Sequence, residues 1–283
     1  MTIFTETFCN REYNNRAMIP EFADILASWR SRAQSARETA VGRYDLAYGS
    51  GPRERLDLFP AAEPDAPLLV FIHGGYWRSL DKDHFSWVAP PFVARGISVA
   101  VLNYDLAPAA SLQTITLKVL RAVEWLYRNA GAHGADPRRL FVAGHSAGGH
   151  LGAMAMAALW PIWDPDLPVD LVKGGILVSG LYDLAPLVQA SFLNVDLKLD
   201  AHGADQLSPA WIPPACRAPL ITAVGEQESS EFKRQNALLG ERWSAFLRQD
   251  VPLPGRHHLS AIEALAEPGH PLFEAAAALC LGR

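Results

Sequence analysis

Three cysteines in 283 residues, Cys9, Cys216 and Cys280, are too few and too far apart for a disulfide framework, and no pair has the spacing of a zinc knuckle. Charge of one sign is scarce as well. Lys and Arg number 25 against 30 Asp and Glu, a formal net charge of −5, and the basic residues are scattered. Without a basic patch, nucleic acid is not an expected partner. Long apolar runs are also missing: none approaches the roughly 18 residues of a membrane span, so no membrane partner is expected. The opening MTIFTETFCNREYNNR shows no basic leader followed by an apolar stretch, so secretion is not expected either. These absences leave a soluble, cytoplasmic protein of a reducing compartment as the expectation, with a small molecule as its partner and a homodimer left open.

What is present is material for a large core, since 49% of the residues are hydrophobic. Short apolar runs recur, each closed by glycine or polar turn residues: PLLVFIHGG (67–75), GISVAVLNYD (96–105), RLFVAGHSAGG (139–149), GGILVSGLYD (174–183) and APLITAVGEQES (218–229). They are too apolar for strands wetted on one face and fit strands covered on both faces of a parallel sheet. Helical stretches lie between them, such as 112–130 with Leu117, Leu120, Val123 and Leu126 at helical spacing. RYDLAYG (43–49) and RERLDLF (53–59) alternate and read as an antiparallel hairpin at the sheet edge. The segment around 21–37 reads as a helix with Phe22, Ile25, Leu26 and Trp29 on one face, packing on the sheet. The fold class is α/β, as a single domain over 1–283 with residues 1–40 as an N-terminal helical segment.

Gly144-His145-Ser146-Ala147-Gly148 satisfies G-x-S-x-G and falls between a strand and a helix. A serine on that corner is held in a strained conformation with its hydroxyl pushed into the open, and side chains two residues away on either side would collide. The helix that follows turns its free N–H groups and its dipole toward charge developing at the serine. A phosphate-binding loop would want a lysine after the glycines, and none is there.

A serine hydroxyl needs a base, so partners are predicted downstream in the order acid, then histidine. Candidates are His150, His202, His257, His258 and His270. In VPLPGRHHLSAIEAL (251–265) two histidines occupy a loop after an apolar strand and before an amphipathic helix, and His258, adjoining the helix, is preferred. His150, one turn after the serine, reads as a packing residue. For the acid, GEQESSEF after LITAVG offers Glu226, Glu228 and Glu231; the position three residues past the strand-ending glycine selects Glu228, and Asp183 is a rival. FIHGGYW (71–77) places Gly74 and Gly75 where their amides, with that of Ala147, would meet an oxyanion. Tyr76 and Trp77 could floor an aromatic pocket. No His/Asp/Glu cluster suits a metal, His145 and His150 being five apart around the serine, and no cofactor is expected.

With these motifs in place, the chain resembles the α/β-hydrolase superfamily, its hormone-sensitive-lipase-like group and, more narrowly, the arylformamidase (kynurenine formamidase) branch. The matching stretches are REYNNRAMIPEFADILASW, YGSGPRERLDLF, HGGYWRSLDKD, LNYDLAP, GHSAGGHL, VSGLYDLAPL, VGEQESSEFKRQ and HHLSAIEAL. The resemblance implies the α/β-hydrolase fold, a triad of Ser146, Glu228 and His258, and oxyanion donors at Gly74, Gly75 and Ala147. The branch carries Asp where Glu228 stands here; the longer arm shifts the loop and keeps Glu226 in play. The implied reaction is hydrolysis of a small aryl formamide through an acyl-enzyme, with a carboxylesterase or amidase for other small acyl compounds as the alternative. A non-catalytic ligand sensor on the same fold commonly loses the serine or the histidine, and candidates for both are retained.

Overall fold

Eight strands share one sheet in the order β1-β2-β4-β3-β5-β6-β7-β8. They are β1 (Arg43–Ala47), β2 (Arg55–Phe59), β3 (Ala66–Ile72), β4 (Ser98–Leu102), β5 (Ala135–His145), β6 (Val172–Val178), β7 (Leu220–Gly225) and β8 (Leu247–Leu253). This computed structural model describes residues 4–215 and 217–283, so Met1–Ile3 and Cys216 lie outside the described residues. β1 and β2 pair antiparallel, as do β2 and β4, and every other pairing is parallel. The expected antiparallel edge and parallel centre are therefore both present.

The apolar runs became interior strands because both of their faces are covered. Along β3, Leu68, Val70 and Ile72 join one apolar cluster while Leu69 and Phe71 join the other. β4 and β5 divide their residues in the same alternating way, as strand geometry requires. Leu112–Asn129 and the helix Ala147–Ala157 cover one face, and Pro271–Leu281 packs on the other. β8 differs from the apolar strand expected before the histidines. It is an edge strand whose Arg248, Gln249 and Asp250 are exposed, so one flank faces solvent and carries charge that discourages further pairing.

Two helical stripes shift from expectation. On Leu112–Asn129 the buried stripe runs through Leu112, Ile115, Val119, Ala122 and Leu126, and Leu120 and Val123 are buried beside it, but Leu117 is 44% exposed. At 100° per residue Leu117 sits a further 60° outward from Leu120, itself at the margin of the buried face. The helix expected around 21–37 spans Phe22–Thr39, after two shorter helices at Glu6–Glu12 and Asn15–Met18, and buries only Trp29, Ala33 and Ala36. Trp29 packs on Phe85 and Trp87, ring centroids 5.3 and 5.9 Å away, in the segment after β3. Phe22 and Leu26 stay half-buried because they border a cavity.

The connections place that cavity. From β3 the chain runs to β4 on one side and then returns past β3 to β5 on the other, so the strand order reverses between β3 and β5. In open α/β sheets the crevice at the carboxyl ends beside such a reversal is where ligands bind.

Candidate active site

Ser146 follows β5 and opens the helix Ala147–Ala157 with φ 57° and ψ −122°, a conformation costly for any residue but glycine. Serine is a favoured helix N-cap, yet this hydroxyl makes no capping bond. It lies 3.0 Å from His258 Nε2 instead. The corner is made by glycines. A Cβ on Gly144 would come within 2.1 Å of the Gly148 carbonyl, and one on Gly148 within 1.9 Å of the Ile72 carbonyl in β3.

His258 opens the helix His258–Glu263 after β8, with its ring between Phe232 and His145 at centroid distances of 4.4 and 4.7 Å. Its Nδ1 is 2.6 Å from Glu228 Oε2. The adjacent His257 is occupied as N-cap: its Nδ1 accepts from the Ser260 amide at 3.2 Å, and the Ser260 hydroxyl accepts from the His257 amide at 2.9 Å. Only the second histidine of the pair is left to reach across the strand ends.

Glu228 is buried just past β7, where Oε1 accepts from the Gly225 amide at 2.7 Å and from the Ser179 hydroxyl at 2.5 Å. The longer arm of glutamate is thus held at one oxygen by β7 and by the residue after β6, and the other oxygen faces the imidazole. Glu226 is exposed and accepts from the Gly255 amide at 2.8 Å. Glu231 accepts from the Tyr13 hydroxyl at 2.6 Å and from Arg234, which also pairs with Asp183 at 3.0 Å. All three rival acids, Glu226, Glu231 and Asp183, are therefore engaged elsewhere. Ser146, His258 and Glu228 form a continuous hydrogen-bonded relay, the arrangement that makes a serine a nucleophile.

Gly74 sits against the serine: an added Cβ would lie 3.0 Å from Ser146 Cβ and 2.9 Å from the His145 carbonyl. Gly75 has φ 110°, and its Cβ would meet the Ser79 carbonyl at 2.2 Å. The amides of Gly74, Gly75 and Ala147 donate to no acceptor among the described residues. His73 supports this loop, its Nδ1–H donating to the Gly74 carbonyl at 2.7 Å and its ring stacking on Tyr104 at 4.3 Å. Burial holds His73 down to about 4, so the ring stays neutral beside the site.

Beside the serine lies a cavity of about 620 Å³, bordered by Ser146 and His258 and by five aromatic residues, Tyr13, Phe22, Trp29, Tyr76 and Phe192. Tyr76 borders this cavity, its hydroxyl donating to the Tyr13 carbonyl at 2.6 Å. Trp77 does not. It is fully buried, and its indole N–H donates to His150 Nδ1 at 3.2 Å, the backbone turning through left-handed conformations at Tyr76 (φ 50°) and Trp77 (φ 55°). His150 completes that contact by donating from Nε2 to the Leu207 carbonyl at 2.8 Å, a packing role, and burial holds it down to about 4. His145 donates from Nε2 to the His258 carbonyl at 2.9 Å, and burial keeps it well below the ordinary histidine range. Among the described residues no group of three or more His, Cys, Asp or Glu could hold a metal ion, and no helix is long and apolar enough to cross a membrane.

Reading of the sequence did not pick out Ser179, Tyr13, Phe192 or Asp196. Tyr13 arrives from the N-terminal segment, and Phe192 and Asp196 from the helix Ser191–Leu197 on the excursion between β6 and β7. The one local sign was Ser179, which directly ends the apolar run of β6, as Ser146 follows that of β5.

Fold and site together define a hydrolase of the α/β-hydrolase class. The BD-FAE family matches the chain over residues 56–159. Kynurenine formamidase of Salmo salar is 30% identical over 85% of this chain and 83% of its own length. That of Danio rerio is 32% identical over 77% of this chain and 73% of its own. A solved structure from Silicibacter sp. TM1040, provisionally described as a thioesterase, is 33% identical with a TM-score of 0.83 and covers 94% of this chain and 97% of that one. The chain belongs to the kynurenine formamidase family.

Proposed function

We propose that the chain hydrolyses a small aryl formamide of the N-formylkynurenine type through a formyl-enzyme on Ser146. The observation that carries the reading is the relay from Glu228 through His258 to Ser146 beside a cavity bordered by aromatic residues. The relatives named kynurenine formamidase support the substrate class. In the first half, Oγ of Ser146 attacks the formyl carbon while His258 Nε2 takes its proton. The negative oxygen of the tetrahedral intermediate accepts from the amides of Gly74, Gly75 and Ala147. His258 returns the proton to the aniline nitrogen as the C–N bond breaks, releasing the arylamine. In the second half His258 draws a proton from water, whose oxygen attacks the formyl ester; formate leaves and Ser146 regains its hydrogen. Glu228 holds the imidazole with Nδ1–H inward and stabilises it while charged.

The same relay cleaves esters, and the 33% identical structure described as a thioesterase favours a second reading, hydrolysis of other small acyl compounds. Purified protein incubated with N-formylkynurenine and followed at the absorbance of kynurenine tests the first. Turnover no faster than that of Ser146→Ala removes it, and short p-nitrophenyl esters exceeding formamides by orders of magnitude in kcat/KM favour the second. Labelling of Ser146 by a fluorophosphonate is expected in either case.

A further inference from the structure

The cavity wall carries one charge that no ion pair among the described residues offsets. Apart from the histidines, the ionisable side chains bordering it that are charged at neutral pH are Arg16, Arg78 and Asp196. Arg78 and Asp196 offset one another, Nη1 lying 2.8 Å from Asp196 Oδ2 and 2.7 Å from the Phe192 carbonyl. Arg16 forms no ion pair among the described residues, and its guanidinium lies 6.0 Å from the centroid of the Phe22 ring, which also borders the cavity. The wall is thus net positive in a chain of net charge −5.

The turn bearing Arg16 is pinned. The Tyr13 carbonyl accepts from the Tyr76 hydroxyl at 2.6 Å, the Tyr13 hydroxyl donates to Glu231 at 2.6 Å, and Asn14 accepts from the Ala17 amide at 3.2 Å. Little backbone freedom remains to be lost when the guanidinium engages a ligand. Space is adequate too. A benzene-sized ring fits a cavity of about 150 Å³, and here the volume is about 620 Å³.

We infer that Arg16 is a specificity-determining residue that reads a carboxylate carried on an arm of the substrate. A planar guanidinium pairs with a carboxylate through two parallel N–H···O bonds, stronger than neutral ones and lost when the arm is uncharged. Arg16 therefore selects anionic acyl compounds over neutral ones of the same shape. This rests on the proposed function for the scissile bond, while the charge preference is independent of whether that bond is amide or ester.

The test uses two matched pairs: 4-(2-formamidophenyl)-4-oxobutanoate against its primary amide, and the corresponding 2-acetoxyphenyl compounds. For each pair the ratio of kcat/KM, carboxylate over amide, is measured with wild type, Arg16→Gln and Arg16→Lys. Wild type is expected to favour the carboxylate by about tenfold or more, mainly through KM and less so at high salt. Arg16→Gln brings the ratio near one, and Arg16→Lys falls between. A wild-type ratio near one, or an unchanged ratio in a folded Arg16→Gln protein, overturns the inference. If the formamides are inert and the esters are cleaved, the formamide reading fails and the ester pair decides on Arg16. If neither pair turns over, protection of Ser146 from a fluorophosphonate by carboxylate against amide supplies the ratio, judged in the same way.

Discussion

Glu228→Gln removes one charge without moving a heavy atom, and the surroundings dictate how the new amide must lie. Two donors, the Gly225 amide at 2.7 Å and the Ser179 hydroxyl at 2.5 Å, converge on the Oε1 position. The glutamine oxygen must occupy it, which turns the NH₂ toward His258 Nδ1, 2.6 Å away in the native protein. Donor then faces donor unless the imidazole changes tautomer, and the changed tautomer places its hydrogen on Nε2, against Ser146. A ring protonated there cannot take the serine proton. The expected loss is about 10⁴ in kcat, the scale seen when a triad acid becomes an amide. Because both acceptor bonds at Oε1 survive, thermal stability should change little. Steady-state turnover of a formanilide and of a p-nitrophenyl ester, with a melting curve on the same preparation, measures both quantities. Glu226→Gln serves as the control, since its carboxylate is exposed and among the described residues bonds only to the Gly255 amide. A folded Glu228→Gln protein retaining kcat within about tenfold of wild type would refute the tautomer argument.

Gly74→Ala places a methyl carbon 2.9 Å from the His145 carbonyl and 3.0 Å from Ser146 Cβ; displacing that amide should cost about 10²–10³ in kcat, read on either substrate. Stability should fall with acidity. His73 and His150 are held down to about 4 and His145 lies well below its ordinary value, all by burial, against 6.5 for the free side chain. The unfolded chain therefore binds more protons as pH drops below about 6.5. The contribution is whole above that pH and is lost toward 4, at up to about 1.4 kcal/mol per pH unit for each ring. A urea midpoint that stays level from about pH 7 to 5 would count against this. Tyr13→Phe removes the hydroxyl that donates to Glu231 at 2.6 Å and accepts from Gln235 at 3.1 Å, and should lower unfolding free energy by about 1–3 kcal/mol in urea titrations.

Much of the fold can be read without coordinates because it is local. Runs such as PLLVFIHGG are apolar at successive positions, and a strand with that pattern must be covered on both faces wherever it lies. The serine corner and His258 are legible for a similar reason. Gly144 and Gly148 leave the backbone no competing use at that spacing, and a histidine at a helix start is placed by the helix itself.

The sequence by itself therefore determined the α/β class, the strained serine and the preference for His258 as its partner, since turn chemistry and hydrophobic period act over a few residues. The sequence selected Glu228 by its position past β7 but kept Glu226 in play; tertiary structure separated the two, through a hydroxyl from Ser179 after a neighbouring strand that holds Glu228 toward the imidazole. It alone turned Trp77 into the core toward His150 and brought Tyr13, Arg16 and Phe192 to one wall. Residues far apart in the chain meet there only once the sheet has closed the distance between them, and no local pattern along the chain encodes such a meeting.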